Sequence, residues 1–409
     1  MAVASCLEAL KSRHPQAETI PHNGIAALKA VLPVVDAPAM SEPVLWDLDP
    51  HTAAKHRVLR AYLDAWIPVM AQQALTVRRF STEAPRLLLV DGFAGPGGYA
   101  NGELGSPLIM LDALLSHSAF ERLGGVSFLF LFIEHDKRRV EHLRSEVTSL
   151  GPLPANVSVQ IEHGEFESTF GSLVDGITDR GKILVPTFTF IDPFGYSSAS
   201  MSLTGRLTGF PRCEVLFFLP LSFVHRFVGR EGQDVALTSL FGSDEWRHAA
   251  TLTGDARRTY LLELFERRLA SGAHVRHVRS FQLHTQDGND YRLVFALGHR
   301  KGLELAKDAM WAVDPAGGTS YVATTESGQE VLFGSAELVD TAPLLAELRS
   351  KFGSDWFTIG QAEECALLDT PFRVGQLRRD TLTPAERKGV LEVERPGRSG
   401  FKGARMRFT

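Results

Sequence analysis

Four acidic residues in this 409-residue chain each follow an apolar run, and that is where a parallel sheet would meet a ligand. Asp91 closes Leu87-Leu88-Leu89-Val90 and opens Gly92-Phe93-Ala94-Gly95-Pro96-Gly97-Gly98. Glu134 closes the run from Val126 to Ile133, and Glu165 follows the alternating stretch from Asn156 to Glu162. Asp192 closes Ile183 to Ile191 and is followed by Pro193-Phe194-Gly195. Ionised carboxylates only accept hydrogen bonds, so such a row suits ammonium, hydroxyl or amino groups on a ligand. Beside Asp192, a carbonyl next to proline supplies a second acceptor and Phe194 a stacking face. That combination can hold an exocyclic NH2 with its lone pair aimed at an electrophile. A type I turn after a buried strand is the plainer reading of the same four residues.

The elements that must position these residues alternate between strand and helix. Val58, Leu59, Tyr62, Leu63, Trp66, Ile67 and Met70 recur at three and four, which predicts an amphipathic helix over 52–74. It leads into the strand ending at Asp91. Gly105-Ser106-Pro107 predicts a helix start, with serine capping free amides and proline in the first turn. Strands follow over 126–133, 156–162, 183–191 and 214–219, with a helix over 136–150. Two further strands, 275–284 and 291–298, are joined by Gln286-Asp287-Gly288-Asn289, a connection short enough for an antiparallel hairpin. Parallel strands closed by such a hairpin are the plan of the Rossmann-like class I methyltransferases. Beyond a helix over 301–313, three helical patterns and a hairpin over 390–408 predict a winged-helix-like module. The expected division is an N-terminal arm over 1–50, the Rossmann-like domain over 51–313, a linker over 314–340 and the winged-helix-like domain over 341–409.

Under that plan each acid takes a role. Gly95-Pro96-Gly97-Gly98-Tyr99-Ala100 formally satisfies a dinucleotide fingerprint, but proline interrupts the loop and the helix starts only near Ser106. The alternative is a loop for S-adenosyl-L-methionine. In it Asp91 accepts hydrogen bonds near the methionine ammonium, and Phe93, Gly95, Gly97 and Ser106 line the approach. Glu134, at the end of the neighbouring strand, can accept both ribose hydroxyls. Glu165 is placed near the adenine amino group, with Phe166 stacking on the ring or packing in the core. Asp192, Pro193 and Phe194 then present the methyl acceptor. Lys55-His56, at the head of the first helix, can cover the cofactor.

Composition excludes several other classes. Hydrophobic residues make up 44% and charged residues 22%, and no apolar run approaches the ~20 residues that cross a bilayer. The amino terminus lacks the pattern of a secretory signal, so a cytoplasmic protein is expected. Cys6, Cys213 and Cys365 lie far apart with no ligand spacing, so neither a metal site nor a disulfide framework is expected. The net charge is -5, yet 371–409 carries ten basic residues against four acids, which leaves -11 for the remainder. The basic tail suits phosphate contact with RNA or DNA, and equally a solvated surface or one that pairs with the acidic remainder.

At these residues the chain resembles the three-Cys-motif partner protein (TcmP) family. The likeness rests on Lys55-His56 with Tyr62 and Trp66, Val90 to Gly97, Gly105-Ser106-Pro107-Leu108, Ile133-Glu134, Phe190 to Gly195, Tyr291 to Ala296 with Lys301-Gly302, and Thr370-Pro371-Phe372-Arg373. It covers most of the chain from about residue 45 onward. It implies a Rossmann-like methyltransferase core and a three-Cys-motif partner protein, and leaves the substrate open. Asp192 to Gly195 is also similar to the motif of tRNA guanine-N2 dimethyltransferases, but Tyr196-Ser197-Ser198 departs from that pattern, so guanine specificity does not carry over. The expectation is methylation of an exocyclic amine in nucleic acid. Methylation of a peptide or small metabolite, and a non-catalytic cofactor-binding adaptor, are the alternatives.

Overall fold

The computed structural model describes residues 43–77, 84–285, 288–322, 339–397 and 400–409, and residues 43–409 cluster as one compact unit. Residues 1–42 of the expected N-terminal arm, residues 323–338 of the expected linker and Gln286-Asp287 lie outside the described residues. Helix α1 (Pro50–Val77) precedes β1 (Arg86–Asp91) and α2 (Ser106–Leu115). Then come β2 (Ser127–Glu134), α3 (Lys137–Ser149), β3 (Val157–His163), α4 (Phe166–Thr178) and β4 (Thr187–Ile191). They are followed by α5 (Met201–Leu207), β5 (Cys213–Leu219), α6 (Leu221–Phe227), α7 (Asp234–Phe241) and α8 (Gly254–Ala270). The hairpin β6 (His277–His284) and β7 (Asp290–Leu297), then α9 (Arg300–Val313) and β8 (Ser320–Val322), complete the larger part.

The eight strands lie in the order β3-β2-β1-β4-β5-β7-β6-β8. β1 to β5 are parallel and β7 runs antiparallel to β5, so the sheet has the Rossmann-like plan with the closing hairpin expected from the sequence. β8, within the expected linker over 314–340, adds an edge strand parallel to β6. The central strands are apolar on both faces because helices cover both. Leu87 and Leu89 of β1 and Phe128, Phe130 and Phe132 of β2 join one core with α1, α2 and α9. Val90, Leu131 and Ile133 face the other core, built with α4, α5, α7 and α8.

Register brings the acids to one edge. Asp91 is level with Phe132 of β2 and Phe190 of β4, so Glu134 and Asp192 each lie two residues further along adjacent strands. The strand expected over 183–191 begins only at Thr187.

The C-terminal elements are α10 (Ala342–Phe352), β9 (Phe357–Thr358), α11 (Ile359–Leu368), α12 (Val374–Gln376), a π-helical turn over Leu377–Leu382, α13 (Thr383–Arg387), β10 (Leu391–Glu394) and β11 (Arg405–Phe408). β10, β11 and β9 make an antiparallel sheet. Thr358 begins α11 with a capping box, its side chain and that of Gln361 satisfying each other's backbone amides. This part is joined to α9 through a shared core that includes Trp311, Leu344, Phe357 and Phe372. The buried Lys307 ammonium donates to the carbonyls of Ala366, Thr370 and Phe372 at 2.8, 2.7 and 2.9 Å.

Candidate active site

The loop after β1 is held by hydrogen bonds that only a glycine-rich sequence permits. Gly95 and Gly97 have φ of 61° and 89°, in the left-handed region where other side chains are strained. The Gly95 amide donates to Glu134 Oε2 at 2.8 Å, and the Gly105 amide donates to the Gly97 carbonyl at 2.8 Å. A Cβ on Gly105 would stand 2.8 Å from the Gly97 carbonyl carbon, so the loop closes on itself only because both residues are glycine. The insertion between Gly98 and Leu104 folds back through a β-bridge.

Above this loop lies a cleft of about 240 Å³. Phe93, Gly95, Gly97 and Ser106 form one side, and Asp192, Pro193 and Phe194 another. Asp91 is fully buried beside it. Its Oδ1 accepts from the Phe93 amide at 3.1 Å, while among the described residues Oδ2 has no hydrogen-bond partner. Burial pushes its carboxyl up to about 7, against the opposing influence of Ser106 and the Phe93 amide. A buried acceptor with nothing to accept from is costly, and a ligand ammonium or hydroxyl would remove that cost.

Several expectations need correcting. Ser106 is not the helix cap. Gly105 holds that position with no side-chain bond, and Ser106 lies one residue inside the helix, lining the cleft. Glu134 is buried, and both its oxygens already serve the backbone: Oε2 takes the Gly95 amide and Oε1 the Asp136 amide at 2.8 Å. One acceptor direction, on Oε2, remains on that carboxylate after these bonds and the 3.0 Å approach of His135 to Oε1. Glu165 is exposed at the start of α4 and is not brought to the cleft. Phe166 is core, packed against Phe93 and Phe170 with centroids 5.5 and 5.7 Å apart.

Sequence reasoning missed most of the opposite wall. Lys55 of α1 forms a short ion pair with Asp192 Oδ2, the two side chains only 7% and 19% exposed. Its Nζ also sits 4.5 Å from the Phe218 ring centroid. A lysine on the buried stripe of an amphipathic helix was the available signal, since buried lysines nearly always have partners. His51, Tyr291 and Phe218 form a continuous stack, with centroid separations of 4.8 and 5.2 Å. Burial and Lys55 lower the His51 imidazole, leaving it neutral near pH 7. Trp46 meets Tyr99 and Phe194 edge-on at 6.0 and 5.9 Å, and the Arg139 guanidinium lies 4.8 Å from Trp46 and 5.3 Å from Phe194. Trp46 precedes any periodic pattern, so nothing in the sequence marked it.

Among the described residues, no group of three or more His, Cys, Asp or Glu is arranged to hold a metal ion. No described helix is long and apolar enough to cross a membrane.

No protein-family model and no curated protein matches the chain. Some solved structures are similar to parts of it. One is Trm1 from Pyrococcus horikoshii in complex with S-adenosyl-L-methionine, at 12% identity, TM-score 0.33, covering 64% of this chain and 60% of that one. EvdMO1 is similar at 13% identity and TM-score 0.25, covering 57% and 42%. The cyclopropane synthase MmaA2 from Mycobacterium tuberculosis is similar at 12% identity and TM-score 0.26, covering 64% and 69%. The chain thus spans less than two thirds of the first two.

Proposed function

We propose that the chain is an S-adenosyl-L-methionine-dependent methyltransferase that acts on an exocyclic amine, with nucleic acid as the substrate class. The observation that carries this reading is the orphaned Asp91 Oδ2 beside a cleft bounded by the glycine loop and by Asp192-Pro193-Phe194. The residues fit the cofactor. Asp91 would take its ammonium, the backbone around Gly95 and Gly97 would approach closely, and the remaining acceptor direction of Glu134 would take a ribose hydroxyl. When bound, the cofactor supplies an electrophilic methyl group on a sulfonium.

The rest falls to the chain's own side chains. Asp192 accepts a hydrogen bond from the acceptor NH2 and so orients the nitrogen lone pair, and Lys55 fixes the carboxylate that does so. Phe194, 55% exposed, gives a planar acceptor a face to stack on. The proton that must leave nitrogen after transfer has Asp192 as its nearest acceptor.

Calorimetry with S-adenosyl-L-methionine tests the cofactor half: binding should be lost in Asp91→Ala, and retention would remove this placement. For the acceptor half, Asp192→Asn should keep cofactor affinity while turnover falls at least about a hundredfold, the scale of a lost positioning and charge interaction. A fully active variant would refute the assignment.

A peptide or metabolite amine is the second reading, and one observation favours it. Of the ten basic residues in 371–409, Arg373, Arg378, Arg379, Arg395 and Arg407 are in ion pairs with acids of the chain itself. The winged-helix-like C-terminal part therefore offers fewer free cations to phosphate than its composition promises.

A further inference from the structure

A second cavity, of about 420 Å³, opens at the opposite edge of the sheet, where β5 begins and β7 ends. It is larger than the cleft and no residue borders both. Trp66, Val69 and Met70 of α1 and Leu305 of α9 give it apolar walls. Its buried polar group is Glu214, 6% exposed, whose Oε2 accepts from Tyr62 Oη at 2.7 Å and Trp66 Nε1 at 2.6 Å. A Cβ on Gly302 would lie 2.6 Å from Oε1, so a larger residue there would push the carboxylate aside.

Cations border the same cavity. Arg212, Arg276 and Lys301 line it together with His274 and His299. Lys301 pairs with Glu304 at 3.1 Å, whereas the exposed Arg212 and Arg276 form no ion pair among the described residues. Arg212 is also the one non-glycine described residue with a positive φ, 63°. A left-handed arginine costs about 1 kcal/mol, and strain of this kind collects at ligand sites.

The polarity of the cavity runs from an acceptor-only carboxylate, through apolar and indole walls, to guanidinium groups with no ionic partner among the described residues, Arg276 donating only to the Ala273 and Val275 carbonyls at 3.3 Å. Its complement is a molecule with N–H donors at one end, a flat body and an anion at the other. We propose that this cavity binds a purine nucleoside monophosphate, its base N–H edge toward Glu214 and its phosphate toward Arg212 and Arg276. Guanidinium groups match phosphate oxygens bidentately, and a purine presents both the donors and the stacking surface. The site does not depend on the function proposed for the cleft. It does share α1 with the cleft: Lys55 and Trp66 are eleven residues apart, roughly 16 Å along the helix axis.

Calorimetry on the full chain with AMP, GMP and IMP, each alone and with saturating S-adenosyl-L-homocysteine, tests the proposal. At least one nucleotide should bind in both conditions, and it should still bind Asp91→Asn, so a failure of the cleft assignment would not mask it. Arg276→Glu and the double variant with Arg212→Glu should weaken it by at least about tenfold with unchanged melting temperature. No nucleotide binding at millimolar concentration would overturn the proposal. So would displacement by S-adenosyl-L-homocysteine, equal affinity in the arginine variants, or binding of tryptophan in place of every nucleotide.

Discussion

Asp91 is destabilising where it stands, and the sign of its effect can be worked out. Its carboxyl is raised to about 7 in the folded chain, against an ordinary aspartate value of 3.8. The folded state therefore holds more protons than the unfolded one between those values, and stability falls as pH rises from about 4 to 7, then levels off. The full shift corresponds to about 4 kcal/mol at most. Asp91→Asn should raise the melting temperature of the ligand-free protein, more at pH 8 than at pH 5, while abolishing binding of S-adenosyl-L-methionine. An equal gain at both pH values would show that the carboxyl is not perturbed. The same charge logic makes cofactor affinity in the wild-type chain rise from pH 6 to pH 8, because a cationic ammonium needs the ionised acid. Calorimetry at pH 7 in buffers of different ionisation enthalpy should then detect proton release on binding.

At the scale of elements, the short loops and the long-range clasps do different work. The glycine loop owes its shape to backbone contacts: Gly105→Ala should cost about 1 to 3 kcal/mol in urea unfolding, because the intruding Cβ meets main chain and not a movable side chain. An unchanged midpoint would show that the loop has room to shift. Lys307 ties α9 to the turn after α11 through three carbonyls. Lys307→Ala removes all three bonds, but the Ala366 carbonyl keeps the Thr370 hydroxyl and the Thr370 carbonyl keeps Arg279, so only the Phe372 carbonyl loses its donor, and a loss of about 1 to 3 kcal/mol with early proteolysis within 340–409 is expected. Stability within error of wild type would assign the junction to apolar contacts alone.

Which elements were legible in the sequence follows from the same physics. α1, β1, β2, β3, α3, β5, the β6–β7 hairpin and α10 carry strong periodicity or clear ends, and their acids or glycines follow from where strands stop. The helices α5, α6 and α7 are seven or eight residues long and too brief to establish a period. At the site, Asp91, Glu134 and Asp192 were legible because strand ends in a parallel sheet converge. Lys55 was read as a cover for the cofactor, but its pairing with Asp192 was not legible, nor were Trp46 and Tyr291, since their approach depends on how α1, the segment before it and an antiparallel strand pack across the sheet.

For the molecule as a whole, charge decides the nucleic-acid question better than composition does. Arg387, Lys388, Lys402 and Arg405 are exposed with no ion pair among the described residues, and Arg405 lies 5.2 Å from the Trp356 ring. Removing the tail outright would strip Phe372, Leu377, Leu382 and Met406 from a core and test only folding. The triple change Lys388→Glu, Lys402→Glu and Arg405→Glu keeps that core. If RNA or DNA is the substrate, binding should weaken with salt along a log–log slope that becomes shallower by about 2 to 3 in the triple variant. An unaltered slope would move the phosphate contacts elsewhere, and no binding at low salt would favour the peptide or metabolite amine.

Helix α1 also sets the order in which the chain can be assembled on a ribosome. Its buried face, with Tyr62, Leu63, Trp66 and Ile67, packs against α9, more than two hundred residues later in the chain, and its acid partner Glu214 follows Trp66 by 148 residues. At about 5 to 20 residues per second, that aromatic stripe waits roughly 10 to 50 s for its cover. Nascent chains halted before residue 300 should therefore bind a chaperone through 50–77, and chains released after α9 has emerged should not.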